Sequence, residues 1–483
     1  MRILLIYPHA PPISPLWMPL GLSFVAAALR KAGHEAAIFD RYAVGARSRH
    51  DTAYVDTAML SRIREFRPDV VGLNTLSPLI ADTVESAPLI RDSFGGRIIA
   101  GGHHATALPE LTLRRIPSLD AVVTGEGEIA LTRLAGGEAP GQVPGVWWRA
   151  GERINPPAAP AEQIKRLDDL PLPALDLLDM PFYTRRSDGV IRRNNVKAST
   201  LVTSRGCYQQ CTFCTESLTY GRGVRWHGTD YVLEWILRVV RDYGVEGIYF
   251  HDNDFLASEA RAREVCGELI RRGLHRRIRW SIQARADRIT RDLARLLRSA
   301  GCVLVEFGVE VATQAELDDI AKGTSPGTVE RAIRLCRKSG MDVHAYMLTQ
   351  VENETTADLA RRLAWLKRMP VTSFQWSAVN VHPGTVLYRR KGDDFFARHD
   401  WTRETIAAYY AGDRLSAISP GRRRAWMARH FSRYLRLHWF LNAPGRYPLP
   451  VIVRVATRML RRKILRARRA IPVDDPRNEV LAG

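Results

Sequence analysis

The sequence predicts an α/β protein in which two parallel sheets, each covered by helices, are followed by a basic helical region. Short apolar runs alternate with helical patterns in residues 1–140 and again in residues 196–385, a rhythm typical of parallel sheets. Residues 141–195 are rich in Pro, Gly and Arg and are predicted to be a linker. Residues 421–470 contain fifteen Lys and Arg and no Asp or Glu, which places most of the net charge of +20 in the C-terminal region, residues 386–483.

Four buried strands, with helices between them, are predicted in the first domain. The strands are Ile3–Tyr7, Ala37–Asp40, Val70–Leu73 and Ile98–Ala100, and the helices are Leu20–Lys31, Thr57–Phe66 and Ile80–Asp92. A parallel sheet binds its ligands at the carboxyl ends of its strands. The loops expected there contain Ser77, the pair Gly101-Gly102 and the segment Gly125–Glu128. Paired glycines let a bulky ligand approach the backbone closely.

Six strand–helix units of a partial TIM-like barrel are predicted in residues 196–385. The strands are Leu201–Thr203, Gly247–Phe250, Ile278–Ile282, Val303–Val309, Val343–Leu348 and Ser373–Val379, and the helices are Thr229–Tyr243, Glu259–Arg272, Arg291–Ser299, Gly327–Ser339 and Thr356–Met369. Polar residues stand at three strand ends, namely Asn253 with Asp254, then Arg285, then Glu310. Because the functional loops of such barrels lie at these ends, we expect a polar site there, with ordinary loop capping as the alternative role of each residue.

A loop with three cysteines follows the first strand of this barrel. Cys207, Cys211 and Cys214 have the spacing C-x3-C-x2-C. Three thiolates so close together suit a soft metal, and they can hold three irons of a cubane iron–sulfur cluster. A closed zinc site needs a fourth Cys or His, and no such residue follows at a suitable local spacing. The pattern therefore favours a cluster with one iron open to a small molecule over zinc or three unrelated cysteines.

The cysteine loop and the barrel resemble the radical S-adenosylmethionine (SAM) superfamily, in which the open iron binds the amino acid end of SAM. This resemblance implies that Cys207, Cys211 and Cys214 hold a [4Fe-4S] cluster and that Phe213 lies beside the adenine. It implies further SAM contacts, with Asn253 and Asp254 near the amino group, Arg285 near the carboxylate or ribose, and Glu310 near the ribose. The segment Gln350–Thr355 departs from the G-x-P-G-E-T turn of many relatives.

The first domain resembles the cobalamin-binding domain over its whole length. Ser77-x-Leu79 matches the serine motif that holds the nucleotide tail of cobalamin, and Gly101-Gly102 matches the glycine pair of that family. The D-x-H-x-x-G motif, whose histidine binds cobalt from below, is absent, and Pro8–Pro12 takes its place. We therefore predict bound cobalamin without a protein histidine on cobalt. A Rossmann-like scaffold that has lost its ligand is the alternative.

The histidines near this predicted site have a separate interpretation. His9, His103 and His104 lie in the loops at the strand ends. Because the cobalt-binding motif is absent, we interpret all three as loop or structural histidines rather than as ligands.

Together the two resemblances imply a radical SAM enzyme that generates a 5′-deoxyadenosyl radical for C–H functionalisation. Cobalamin-dependent methylation of an unactivated carbon in a natural product or lipid is the favoured reaction. Oxidative cyclisation, rearrangement and dehydration are alternatives within the same class. A non-enzymatic iron–sulfur or cobalamin-binding sensor with a basic nucleic-acid-binding tail is the alternative from another class. The predicted partners are a small-molecule or lipid substrate and an external electron donor such as flavodoxin or ferredoxin.

Composition and charge predict a cytoplasmic protein. Six cysteines, three of them in one loop, do not form a secreted disulfide framework, and no apolar run approaches the roughly 20 residues needed to span a bilayer. Aromatic residues are interleaved with arginines in residues 421–470. This pattern suits peripheral attachment to an anionic membrane face, with a helical cap over the barrel as the alternative. Nucleic-acid binding is not favoured, because no recognised module is present.

Overall fold

A computed structural model describes residues 1–10, 18–184, 196–412, 415–423, 425–427 and 429–430. Residues 1–420 form one compact unit. The basic helix predicted near residues 452–469, and most of the interleaved aromatic residues, lie outside the described residues. In the described part of the chain, no helix is both long enough and apolar enough to cross a bilayer.

The first sheet contains seven strands in the order β2-β1-β3-β4-β5-β6-β7. They are β1 (Arg2–Tyr7), β2 (Glu35–Asp40), β3 (Val70–Asn74), β4 (Arg97–Gly101), β5 (Ala121–Val123), β6 (Val146–Ala150) and β7 (Arg153–Asn155). The four predicted strands pair in parallel, β5 adds a fifth parallel strand that was not predicted, and β6 and β7 are antiparallel. These two strands form an edge hairpin that extends the sheet into the range predicted as a linker. The surrounding Pro and Gly residues concealed such short strands in the sequence.

Helices cover both faces of this sheet. They are α1 (Leu20–Lys31), α2 (Arg41–Arg47), α3 (Thr52–Phe66), α4 (Ile80–Ser93), α5 (His103–Ala107), α6 (Pro109–Arg115), α7 (Gly127–Ala135) and α8 (Met180–Thr184). Side chains alternate along β1, so that Leu4 packs against α3 and α4 while Leu5 packs against α1 and α7. This alternation gives one apolar core on each face of the sheet and leaves the strand ends free to form a site.

The second sheet is the predicted half-barrel of six parallel strands. Two short strands, β9 (Ser204–Arg205) and β10 (Arg225–Trp226), form a separate antiparallel pair. The half-barrel has the order β15-β14-β13-β12-β11-β8. Its strands are β8 (Ala198–Leu201), β11 (Gly247–Phe250), β12 (Arg279–Ala284), β13 (Cys302–Glu310), β14 (Asp342–Thr349) and β15 (Ser373–Ala378). The first strand ends at Leu201 rather than Thr203, because the backbone N–H groups of Thr203 and Ser204 bond to a carboxylate instead of to a neighbouring strand.

Five of the seven described helices of the half-barrel follow the predicted boundaries to within one residue, and the two short ones, at residues 216–220 and 314–319, were not predicted. The seven helices are α9 (Glu216–Tyr220), α10 (Thr229–Tyr243), α11 (Glu259–Arg271), α12 (Arg291–Ser299), α13 (Gln314–Asp319), α14 (Pro326–Lys338) and α15 (Thr356–Arg368). Capping explains two of the ends. Thr290 accepts a hydrogen bond from the N–H of Leu293 at the start of α12, and Gly244 ends α10 in the left-handed conformation.

The described residues after the half-barrel include the helices α16 (Val386–Arg390), α17 (Phe395–Arg398) and α18 (Arg403–Ala411). The predicted helical character of the C-terminal region is thus confirmed for its described beginning. Phe396 and Tyr409 are buried in the core beneath the first sheet, and Arg403 donates to Glu85 of α4 at 2.7 Å. This part of the chain therefore packs against the first domain.

Candidate functional site

The buried carboxylate of Asp252 holds the backbone just before the cysteine loop. Asp252, which follows β11, accepts hydrogen bonds from the backbone N–H groups of Thr203 and Ser204, both at 2.6 Å. The hydroxyls of the same two residues donate to it at 2.7 and 2.9 Å. Gly206 then turns the chain with φ +85°, where a Cβ atom would lie 2.2 Å from the carbonyl oxygen of Gly223. The loop therefore depends on a glycine and on four bonds to one carboxylate.

The three predicted cluster cysteines, Cys207, Cys211 and Cys214, line one cavity at the carboxyl ends of the half-barrel strands. The remaining cysteines, Cys266, Cys302 and Cys336, are fully buried and do not line this cavity. Burial raises the pKa of the Cys214 thiol to about 12, so thiolates require a cationic centre beside them.

The three cysteines around this cavity are donors of the kind that hold three irons of a cubane iron–sulfur cluster. Among the described residues, no group of three or more His, Cys, Asp and Glu side chains is gathered closely enough to hold a single metal ion.

Four of the five residues predicted to contact SAM line the same cavity, and they are Phe213, Asn253, Arg285 and Glu310. The orientation of the Arg285 guanidinium is fixed, because its two terminal nitrogens donate to the carbonyl oxygens of Lys322 and Gly323, both at 2.9 Å. Glu310 has φ +67° and accepts a bond from Lys322 Nζ at 2.6 Å. A non-glycine residue in this backbone region is strained, and such strain concentrates at functional sites.

Asp254 does not line the cavity. Its Oδ2 accepts from the hydroxyl of Tyr208 at 2.9 Å, and its Oδ1 accepts from the backbone N–H groups of Leu256 and Arg285, both at 3.1 Å. Burial raises the pKa of the Asp254 carboxyl. The oxygens of Asp254 therefore join the cysteine loop to the end of β12, and its predicted contact with SAM stays a prediction.

Several cavity residues were not predicted from the sequence. Glu216 accepts from Asn253 Nδ2 at 2.9 Å, and Oε2 of Glu306 accepts from the hydroxyls of Tyr249 and Tyr346 at 3.1 and 2.5 Å. Glu306 is a charged residue on the inward face of an apolar strand, which is a signal available in the sequence. Glu216 begins the short helix α9 in a stretch without apolar periodicity, so the sequence gave no such signal.

The turn after β14 has residues in the left-handed conformation, although its sequence departs from the G-x-P-G-E-T pattern. Gln350 and Asn353 have φ +62° and +57°, at the two positions where the resembling pattern has glycine. Glu354, at the position of the pattern's glutamate, is buried and accepts from Thr349 Oγ1 at 3.0 Å and from the N–H of Gln350 at 3.1 Å. Arg362 is buried and bonds to Glu354. The departure therefore changes the residue types without removing the left-handed turns.

A second cavity, with about 1250 Å³ of empty space including its mouth, lies at the carboxyl ends of β3, β4 and β5. Gly101 and Gly102 line it, as predicted. Gly102 has φ +105°, and a Cβ atom there would lie 2.7 Å from the carbonyl oxygen of Thr75. Glycine at position 102 therefore allows this loop to pack closely against the backbone of Thr75. Asn74 and Leu76 also line this cavity.

Ser77 and Leu79, predicted to hold the nucleotide tail of cobalamin, do not line this cavity. Both are buried in a short 3₁₀ helix, and the Ser77 hydroxyl lies 3.0 Å from Nδ1 of His104. Strand β3 ends at Asn74. Asn74 and Leu76 reach the cavity, whereas Ser77, three positions after the strand end, does not. The predicted contacts of Ser77 and Leu79 with the nucleotide tail stay predictions.

The three histidines have distinct surroundings. His103 lines the second cavity, with its Nδ1 lying 2.8 Å from the Thr219 hydroxyl. His104 is fully buried, and burial lowers its pKa to about 3. His9 is buried, and its Nε2 lies 3.4 Å from Nδ1 of His50. His9 and His104 are thus structural, as interpreted, whereas His103 belongs to the cavity wall.

The second cavity is closed by the half-barrel. Thr200, Val202 and His251, at the ends of β8 and β11, line it together with the residues of the first sheet. Asn253, two residues beyond His251, lines the cysteine cavity. The segment after β11 therefore contributes to both cavities, with His251 in the second cavity and Asn253 in the cysteine cavity.

Comparison with known proteins identifies two domains. A protein-family model for the Radical SAM superfamily matches residues 201–366, and a model for the B12 binding domain matches residues 13–135. The first match contains the cysteine cavity residues, and the second contains Asn74, Leu76, Gly101 and Gly102. The cysteine cavity therefore lies wholly within the first match, whereas the second cavity has residues from both matches.

Individual relatives span most of the chain. It is 29% identical over 376 residues to the uncharacterized methyltransferase PH0819 of Pyrococcus horikoshii, covering 77% of each chain. It is 26% identical over 457 residues to the anaerobic magnesium-protoporphyrin IX monomethyl ester cyclase of Cereibacter sphaeroides, covering 90% of this chain and 72% of the cyclase. The radical SAM methyltransferase TsrM of Kitasatospora setae, solved with cobalamin and a [4Fe-4S] cluster, shares the fold with a TM-score of 0.68 at 18% identity, covering 89% of this chain and 88% of TsrM.

Proposed function

The chain belongs to the radical SAM enzymes that carry a B12-binding domain, and from this premise we propose that it methylates an unactivated carbon of a small molecule. The membership makes a [4Fe-4S] cluster, SAM and cobalamin its cofactors. The observation that carries the proposal is the pair of cavities to which the segment after β11 contributes on both sides, through His251 and Asn253. A substrate between them can reach both the site of radical formation and the site of the methyl donor.

The cysteine cavity contains the groups that SAM requires. Cys207, Cys211 and Cys214 would hold the cluster. Asn253 and Glu216 are acceptors suited to the ammonium of SAM, while the Arg285 guanidinium suits its carboxylate. We assign Asp254 the separate role of positioning Tyr208 and the backbone of Arg285.

The second cavity fits cobalamin. Gly101 and Gly102 would allow close approach of the corrin, and Asn74 and Leu76 take the place predicted for Ser77 and Leu79. When bound, the reduced cluster and SAM supply a 5′-deoxyadenosyl radical, and cobalamin supplies the methyl group. The protein's own part is to bind both cofactors, orient the substrate between them and exclude water.

The ends of β8 and β11 that line the second cavity indicate where the substrate binds. His251 stacks on Tyr249 with ring centroids 5.2 Å apart, and burial lowers its pKa, which favours a neutral imidazole at neutral pH. We propose that His251, Thr200 and Val202 contact the substrate, which is a natural product or lipid with an apolar portion.

The test is anaerobic reconstitution of the full-length protein with iron, sulfide, cobalamin, dithionite and SAM labelled with deuterium in its methyl group. Formation of 5′-deoxyadenosine, its loss in C211A and its retention in C266A are expected. A labelled methyl group should then appear in product when candidate substrates are added. Protein that binds cobalt but forms no 5′-deoxyadenosine would contradict the proposed enzyme and favour a binding protein.

Oxidative cyclisation is the second candidate reaction, because the cyclase of Cereibacter sphaeroides matches 90% of this chain. A product that lacks the label but has lost hydrogen would identify it. We also propose a low-potential donor such as flavodoxin or ferredoxin as the electron source. Peripheral membrane contact through residues 421–470 stays a prediction, since most of that segment lies outside the described residues.

A further inference from the structure

Two glutamates at the end of β5 bind an arginine of the cysteine loop. Glu126 and Glu128 line the second cavity, and Arg205 lies two residues before Cys207. Arg205 Nη1 donates to Oε1 of Glu126 at 2.7 Å, and its Nη2 donates to Oε1 of Glu128 at 2.6 Å. All three side chains are buried, so water screens neither ion pair.

A second arginine completes the charge balance of this cluster. Arg225 Nη1 donates to Oε2 of Glu126 at 2.7 Å and to the carbonyl oxygen of Ile164 at 2.6 Å. Arg225 lies in β10 and pairs directly with Arg205 in β9. Two arginines thus face two glutamates, and the formal charges cancel. A buried ionic cluster is tolerated when its charges are paired and hydrogen-bonded in this way.

The geometry makes this bridge a rigid connection between the two cavities. The Arg205 guanidinium is a planar fork that bonds both carboxylates at once, which a lysine ammonium cannot reproduce with the same geometry. It also lies 5.1 Å from the ring centre of Phe24, which limits its sideways movement. The chain continues from Arg205 through Gly206 directly into the first predicted cluster ligand.

We infer that Arg205, held by Glu126 and Glu128, is a positioning residue that fixes the separation between the cobalamin and iron–sulfur sites. The inference rests on the proposed function, because it requires both cofactors in one protein. Both must act on a single substrate, and a displacement of about 1 Å in a reacting geometry can lower a rate about 100-fold. The bridge therefore sets a distance on which the reaction depends without touching the reacting atoms.

The test compares full-length protein reconstituted with iron, sulfide and cobalamin as wild type, E128Q, R205K and the control R133Q. Arg133 also pairs with two glutamates, Glu138 and Glu162, but it lines neither cofactor cavity. Pulsed electron paramagnetic resonance measures the distance between cob(II)alamin and the reduced cluster. Iron content, cobalt content and the cobalamin Kd are measured on the same samples.

We expect E128Q and R205K to retain both cofactors, with a distance distribution shifted or broadened by about 1 Å or more, while R133Q matches wild type. A wild-type distribution in both bridge variants overturns the inference. Loss of cobalamin from E128Q with an intact cluster also overturns the inference, since the glutamates would then belong to the cobalamin site alone. E128Q keeps the Arg205–Glu126 pair, so it tests the bridge even if R205K does not fold. A wild type that binds no cobalamin refutes the proposed function instead.

Discussion

Removing the carboxylate of Asp252 should destabilise the backbone at Thr203 and Ser204, the residues that lead into the cysteine loop. Its side chain is fully buried, and it accepts two backbone and two hydroxyl hydrogen bonds from Thr203 and Ser204. A hydrogen bond to a charged group contributes about 1.5–3 kcal/mol, and the four bonds are not additive because they share one acceptor group. We therefore expect D252A to lower the free energy of local opening by about 3–4 kcal/mol.

Hydrogen exchange measured by mass spectrometry tests this expectation locally. Since about 1.4 kcal/mol is a factor of ten, the amides of Thr203 and Ser204 should exchange about 100- to 1,000-fold faster in D252A. D252N keeps an acceptor at Oδ1, which serves three of the four bonds, and should have a smaller effect. D230A, which alters an exposed aspartate of α10, is the control. Unchanged exchange at both amides in D252A would refute the role assigned to this carboxylate.

The remaining predictions concern the cluster, cobalamin and a buried histidine. Alanine at Cys207, Cys211 or Cys214 should remove the cluster iron, whereas alanine at Cys266, Cys302 or Cys336 should leave it near the wild-type content; cluster loss in the second set contradicts the ligand assignment. G102A should weaken cobalamin binding about tenfold or more at unchanged iron content, because its Cβ would clash with Thr75 and its φ is +105°; unchanged affinity would place cobalamin elsewhere. Electron paramagnetic resonance of the cob(II)alamin form should show no nitrogen splitting from an axial imidazole, and a splitting lost in His103→Ala contradicts this. Burial lowers the pKa of His104 from 6.5 to about 3. As the pH falls from 6.5 towards 3, the imidazole of His104 is therefore protonated in the unfolded state but not in the folded state. The free energy of unfolding should then fall by about 1.4 kcal/mol per pH unit because of this group, and the fall should be shallower in H104F.

Repeating strand and helix patterns could be predicted from the sequence because they depend on neighbouring residues. The bounds of α1, α10 and α12 match the prediction residue for residue. In α10, Val232, Ile236 and Val239 recur at helical spacing and are all buried. Each such helix therefore satisfies a local rule, and no distant contact was needed to find it.

Side-chain roles in the sites were less predictable, because they depend on contacts between distant parts of the chain. Asp254 and Asn253 are adjacent at one strand end, yet only Asn253 reaches the cavity, since Asp254 bonds to Tyr208 and to the backbone of Arg285. Ser77 likewise bonds to His104 instead of reaching the second cavity. A motif predicts where a loop lies, but hydrogen bonds with residues distant in sequence determine which of its side chains line a cavity.

The relation between the two sites shows why neither half of the sequence could define the second cavity alone. The carboxyl ends of β3 to β5 supply one side of it through Asn74, Gly101 and Gly102. The other side comes from Thr200, Val202 and His251, about a hundred residues or more further along the chain. A parallel sheet presents its ligand site at one edge, and here two such edges face a common space. Both domains therefore contribute walls to the second cavity, and its shape depends on the contact between them.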